Sequence, residues 1–475
     1  MNTANTSAQS VEEIFYQQQA NAPAIGLTTA GERIVILKRI VAYLKEHAQT
    51  LQQAMYQDLR RAPLDTLAEL LMVKSEAEFA IQNLHKWLQP HKVKTSLMSK
   101  GTKPYLLYEP KGVTLVIGPW NAPLACNLVP MIGSLAAGNT VIIKPSEFSV
   151  HTSAALKKMI EQLFLPNYVA LIEGNEQTAS QLLALPFDHI YFTGSPRVGR
   201  IVLQAAAQHL TPVTLELGGK SPTIVDETAD IRSAALKIAW GKCANSGQAC
   251  VAPDYVLVHQ SVYQNFVEEV KQAIQTMYNP QGKGIQQSEA FCRIINQHHF
   301  KRALGLIDDA IGQGATLTAG GEHDETECYL APTVLTDVTP DMRVMQEEIF
   351  APIMPIMPFT NKEAVIEIIK KQPKPLALYI YSANRQHISY FLRHTSAGST
   401  VINHNMIQAG VNPYLPFGGV QNSGMGRSVG FATFAAFANQ RSVVENPTGW
   451  SDFSTISLPP YSTVFRKMIH YLFYR

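Results

Sequence analysis

Residues 112–145 read GVTLVIGPWNAPLACNLVPMIGSLAAGNTVIIKP, two short apolar runs bounded by Gly, Asn and Pro and separated by a segment of helix length. The runs are continuously apolar rather than alternating. That pattern belongs to strands covered on both faces, as in a parallel sheet with crossover helices. The unit recurs downstream in YVALIEG and HIYFTG. A second series begins at VTLEL and PTIVD and continues through YVLVH, APTVL and APIMPIM to GSTVIN. The fold class is therefore α/β, with two α/β lobes in succession. Upstream, Ile34, Leu37, Val41 and Leu44 recur at helical spacing, so Thr29 to about Leu88 reads as amphipathic cover helices. KVKTSLMSKGTKPYLLYEPKG reads as a two-stranded excursion turning near Lys100–Gly101.

A chain of 475 residues is long enough for two or three lobes, each with its own core. Thirty-nine basic and 37 acidic side chains give a net charge of +2 with no long run of either sign. This leaves no electrostatic footprint for nucleic acid and favours a small-molecule partner. The five cysteines (Cys126, Cys243, Cys250, Cys292 and Cys328) are odd in number and scattered, which fits a reducing compartment. The start lacks the pattern of a secretion signal, and no run reaches the roughly 18 apolar residues of a spanning helix. The expected location is the cytoplasm.

In HIYFTGSPRVGRIVLQAAAQ a strand runs into Gly194, and Gly199 lies in the helix that follows. A helix N-terminus with glycine nearby can receive a phosphate on its free N–H groups. Arg200 and Ile201 stand where a P-loop needs lysine and a hydroxyl, and Pro196 breaks the G-x-G-x-x-G fingerprint. The pair is either a structural turn or a ligand site. VIIKPSEF places Lys144 and Glu147 at the carboxyl end of a strand, where open α/β sheets bind ligands. They read equally as a solvated loop.

NSGQACVAP (residues 245–253) places Cys250 among small and polar residues between a helix and a strand. Cys243 and Cys250 are spaced too widely for a zinc knuckle, and no His pair completes a metal set. The sulfur is then a buried inert thiol or a nucleophile able to meet a carbonyl together with its own N–H. VTLELGGKSP offers a partner: Glu216 alternates with Leu215 and Leu217 before a Gly–Gly turn. Desolvation there would raise its pKa toward the range of a general base, unless the side chain faces solvent.

PWNAP, KPSE, FTGSPRVG, LELGGKSP, GQACVAPDYVLV, EEIFAP and PFGGVQNSGMGR occur in an order and spacing that resemble the aldehyde dehydrogenase superfamily. The resemblance is strongest to its class 3 branch of fatty, aromatic and coniferyl aldehyde dehydrogenases. It implies a Rossmann-like cofactor domain from residues 1–89, 110–218 and 411–433. It further implies a catalytic domain at 219–410, a bridging or oligomerisation element at 90–109 and 434–450, and a tail at 451–475. By resemblance, Cys250 is the nucleophile that forms a thiohemiacetal and then a thioester, and Asn121 with the Cys250 N–H holds the oxyanion. Glu216 activates the hydrolytic water, which favours release of a free acid over acylation of coenzyme A. The implied cofactor is NAD or NADP. Lys144 and Glu147 resemble the adenosine-ribose pair, with Pro119, Trp120, Gly194, Ser195 and Gly199 also on the cofactor side. Glu348 and Phe417 resemble the residues at the nicotinamide ribose. Relatives of this branch are typically homodimers. Three positions depart from the pattern: Ala122 replaces the usual tyrosine, Ala351 a glycine and His404 an aspartate.

VFRKMIHYLFYR (464–475) puts Phe465, Met468, Ile469, Leu472 and Phe473 on one helical face opposite basic residues. It is expected to pack on its own protein or a partner subunit, with peripheral membrane contact as the alternative. The leading expectation is NAD(P)-dependent oxidation of a hydrophobic aldehyde to its acid. A cofactor-independent thiol esterase would hydrolyse esters without reducing a nicotinamide. A non-catalytic binding protein on the same fold is hard to reconcile with Cys250, Glu216 and Asn121 occurring together.

Overall fold

The computed structural model describes residues 10–448 and 457–475. The first nine residues, and 449–456 of the bridging element and tail, lie outside the described residues. The opening stretch forms strand Val113–Ile117, helix Ala125–Ala137 and strand Thr140–Lys144, with both strands buried at every position. They belong to a sheet that also holds Val169–Leu171, His189–Gly194 and Val213–Leu217 in parallel, with Gly424–Met425 antiparallel at the edge. From Val113–Ile117 the chain winds first to one side, through 140–144 and 169–171. It then returns to the other, through 189–194 and 213–217. The reversal opens a crevice beyond the carboxyl ends of 113–117 and 189–194, where doubly wound sheets take ligands.

The second sheet repeats this logic. Parallel strands Pro222–Val225, Tyr255–His259, Thr333–Thr336, Ile353–Phe359, Ala377–Tyr381 and Ser399–Ile402 are joined by an antiparallel edge, Thr316–Ala319. The two antiparallel edge strands were outside the sequence-based pattern, being short or half-exposed and without a continuous apolar run. A third sheet pairs His91–Lys92 and Ala438–Glu445 against Lys103–Pro110.

Helices Ala30–Glu46, Ala48–Leu59 and Pro63–Trp87 cover the first sheet, as the spacing predicts. Leu37, Ile40, Val73 and Leu84 have no exposed surface. Such side chains contribute about 1.5–3 kcal/mol each on burial. A further helix, Val11–Gly26, escaped the pattern; Ser10 and Glu13 close its first turn as a capping box, and Phe15 enters the core. Helix Thr463–Tyr474 forms with Ser462 as its N-cap, yet none of its residues is buried. The expectation that the tail packs on its own chain is therefore corrected: Phe465, Ile469 and Leu472 are half-exposed and the rest exposed.

Candidate active site

The site lies between the carboxyl edge of the first sheet and the amino edge of the second. Asn121 follows strand 113–117 in a segment that a buried carboxylate fixes. Glu69 Oε1 accepts from the N–H groups of Leu124 and Ala125 at 2.9 and 2.8 Å, capping helix 125–137, while Arg61 holds Oε2. The sequence pattern missed Glu69, which stands on an amphipathic cover helix 55 positions before Leu124. The Asn121 amide donates one N–H to the Gln248 carbonyl at 3.0 Å, and its backbone oxygen accepts from the Asn245 side chain at 3.0 Å. The lobe that holds strand 113–117 is thereby tied to the cysteine loop.

That loop is held in an unusual shape. Asn245, Ser246 and Gly247 all have positive φ, at 50°, 51° and 71°. Such a run is rare outside glycine and is kept only where the surroundings fix it. Gln248, with no exposed surface, supplies the fixing: it donates to the carbonyls of Asn245 and Arg293 and accepts from the Ile295 N–H. A side chain at position 247 would collide with the Ala351 carbonyl, so this approach requires glycine. The Ala351 departure is harmless: the left-handed conformation falls on Phe350, at φ 47°.

Cys250 is half-buried and Cys243 fully buried. Burial and the nearby carboxylates of Glu348 and Glu216 push the Cys250 thiol up to about 12, against the opposing pull of the Cys250 and Val251 N–H groups. The resting sulfur is therefore a thiol, and attack requires a base. Glu216 is 5% exposed, and burial pushes its carboxyl up to about 8. Its Oε1 accepts from Ser428 Oγ at 3.2 Å, while Oε2 is buried without a hydrogen-bond partner among the described residues. The solvent-facing reading of Glu216 is excluded. Cys126, one helical turn beyond Ala122, lies close enough to feel the charge of both Cys250 and Glu216. Neither Cys126 nor Ser428 stood out by spacing.

On the other flank, Lys144 is buried and its Nζ lies 3.1 Å from Glu147 Oε2. Ser195 caps helix Pro196–Gln208 by accepting from the Val198 N–H at 3.4 Å. Gly199 serves close packing: a Cβ there would stand 2.7 Å from Leu217. Trp120 is buried edge-on to Phe350, and Phe417 is half-buried against the core cluster that Cys250 also borders. Glu348 lies so close to Gly218 that a Cβ at 218 would come within 2.1 Å of its Oε2, and its Oε1 is a buried acceptor without a partner among the described residues. Burial and neighbouring Asp254 push the Glu348 carboxyl up to about 8. An orphaned acceptor, a capped helix N-terminus and a Lys–Glu pair around a switch-point crevice fit a dinucleotide.

The aldehyde dehydrogenase family profile matches residues 1–443. The chain belongs to the aldehyde dehydrogenase family. It is 39% identical to 4,4'-diaponeurosporen-aldehyde dehydrogenase of Staphylococcus aureus, over 96% of this chain and 98% of that protein. It is 40% identical to aldehyde dehydrogenase family 3 member B1 of Rattus norvegicus, over 94% of each. Among solved structures, the substrate-bound state of Staphylococcus aureus AldH superposes with a TM-score of 0.93 at 38% identity, covering 98% of this chain and 100% of that one. PnpE in complex with nicotinamide adenine dinucleotide superposes with a TM-score of 0.82 at 28% identity, over 91% of this chain and 89% of that one. The protein is an NAD(P)-dependent aldehyde dehydrogenase of this fold. Among the described residues, no helix is long and apolar enough to cross a membrane.

Proposed function

We propose that the enzyme oxidises hydrophobic aldehydes to free carboxylic acids, with Cys250 as nucleophile, Glu216 as water base and Asn121 as oxyanion donor. The observation that carries this reading is the buried Glu216 carboxyl close enough to the Cys250 sulfur to act on its charge, with the Cys250 and Val251 N–H groups at that sulfur. As Cys250 attacks the aldehyde carbon, its proton passes to water, which leaves the Glu216 carboxylate free for the hydrolytic step. The developing oxyanion takes the Cys250 N–H and the second N–H of the Asn121 amide, since Gln248 occupies only one. The chemistry a bound nicotinamide supplies is acceptance of the hydride. Cys250 is left acylated, and Glu216 removes a proton from the water that frees the acid.

The dinucleotide is held by Lys144 and Glu147 at the adenosine end, and by Pro119, Trp120, Gly194 and Ser195 along the crevice, with Gly199 letting the helix behind them pack against Leu217. Glu348 and Phe417 serve the nicotinamide ribose. The division into cofactor, catalytic and bridging parts follows the three sheets. A hydrophobic substrate is supported by the rim. Tyr379 ties Val251 to the segment holding Met406 and Gln408, and the exposed Ile407, Val411 and Leu415 continue that segment outward, with Trp240 against His404 beside it. The enzyme works as a cytoplasmic homodimer. Its terminal helix, carrying Arg466, Lys467 and Arg475 beside exposed Met468, Tyr471 and Phe473, touches the membrane surface. Loss of sedimentation with anionic vesicles on deleting 464–475 is the expected result, and unchanged sedimentation rejects the contact. A panel of aldehydes of rising chain length tests the main reading: reduced nicotinamide should form with kcat/KM rising with chain length. No reduction with NAD or NADP rejects it.

A further inference from the structure

We propose that Ser428 is a positioning residue for hydrolysis, its hydroxyl fixing one oxygen of the Glu216 carboxylate so that the other is presented to water. The proposal rests on the reading of Glu216 as water base and deepens it. Among the described residues, Ser428 Oγ is the one hydrogen-bond donor found on that carboxylate, at 3.2 Å to Oε1, and Oε2 is left without a partner. Ser428 is itself well placed to hold still. It is 4% exposed, and its backbone is locked in both directions to Phe417, which donates to the Ser428 carbonyl at 2.9 Å and accepts from the Ser428 N–H at 2.7 Å. The next residues are pinned as well: Val429 N–H donates to Thr433 Oγ1 at 2.7 Å, and Gly430 N–H to the buried Glu76 carboxylate.

A serine hydroxyl has one hydrogen and two lone pairs. That hydrogen goes to Glu216, and Tyr191, a buried ring stacked on Phe437, stands beside the same hydroxyl. Glycine at 418 keeps the same oxygen accessible, since a Cβ there would stand 3.0 Å from Oε1. The titratable and charged groups facing Glu216 are Arg427, which favours its ionised form, and Cys250, Cys126 and Tyr191; Glu76 lies beyond Tyr191. Against heavy desolvation, the Ser428 donor is the largest influence that stabilises the carboxylate. Its removal should therefore do two things: keep Glu216 protonated to higher pH, and loosen the water base without touching hydride transfer.

The test compares wild type, Ser428→Ala, Ser428→Thr and Glu216→Gln in the full-length enzyme. The readouts are the burst of reduced nicotinamide and the decay of the acyl-enzyme by acid quench and intact mass, from about pH 6 to about pH 10. Ser428→Ala should keep the full burst and unchanged KM values, which also shows that the site is folded. Its acyl-enzyme decay should be about tenfold slower at pH 7, with the acid limb moved up by about one pH unit. At high pH the rate should return to within about twofold of wild type, and Ser428→Thr should behave as wild type throughout. A wild-type pH profile in Ser428→Ala overturns the proposal, as does a loss independent of pH that threonine does not repair. If Glu216→Gln turns over at the wild-type rate, the reading of Glu216 itself has failed; if it stalls while Ser428→Ala is unaffected, only the role of Ser428 is wrong.

Discussion

The two large sheets are wound by the same rule and used at opposite ends. In the first, the crevice at the strand-order reversal collects Asn121, Lys144, Glu147 and Ser195 just past the carboxyl ends of parallel strands. In the second, the equivalent reversal lies between strands 222–225 and 377–381, and its carboxyl end holds Asp226, Ser382 and His387. There the polar atoms satisfy one another: Asp226 accepts from Thr228, Ser382 and His387. On the proposed reading the second sheet serves the reaction from its amino edge, with Cys250 five residues before strand 255–259 and Glu348 five before 353–359. The difference teaches that a switch point marks a crevice without fixing its use: among the described residues, the carboxylates left with an unpartnered buried oxygen are Glu216 and Glu348, away from the second reversal.

Substitutions at the two ends should separate sharply. The largest effect is expected at Cys250→Ala, which should abolish nicotinamide reduction, whereas Cys243→Ala should keep kcat within about twofold and lose about 1–2 kcal/mol in denaturant unfolding. Equal losses in both would remove the distinction between the cysteines. The smallest effect on catalysis is expected at the quiet end of the second sheet. Asp226→Asn should lower stability by about 1–3 kcal/mol through its lost hydrogen bonds while leaving kcat within about twofold. A large fall in kcat with unchanged stability would show that this end also serves the reaction. The pH dependence sharpens the same contrast. A base must be ionised to work, and Glu216 is pushed up to about 8, so acyl-enzyme hydrolysis should rise with pH through that value. A flat profile from about pH 6 to about pH 10 would contradict the desolvated base.

Much of this was legible in the sequence, for physical reasons that differ by element. Strands such as 113–117 and 140–144, buried on both faces, leave no position for a polar residue and so announce themselves. Choosing between the buried and the solvent-facing reading of Glu216 required the structure, because alternation gives two faces without saying which is covered. Helix 11–26 was missed because its apolar face is narrow: only Phe15 and Gln18 are buried, and Gln18 donates to the Val141 and Pro166 carbonyls instead of packing. Glu69, Gln248 and Ser428 were invisible for a related reason. Each acts on backbone or carboxylate far away in the chain, at separations of 55, 47 and 212 residues, and even within GQACVAPDYVLV nothing local marks Gln248 as the residue that holds the loop.

The central claim is that one cavity divides two tasks, attack by Cys250 and water activation by Glu216. Glu216→Gln mixed with aldehyde and cofactor tests it most directly. About one equivalent of reduced nicotinamide per active site should appear and then stop, with peptide mass mapping locating the acyl adduct on Cys250. Sustained turnover in that variant, or an adduct on Cys126 or Cys243, would contradict the account.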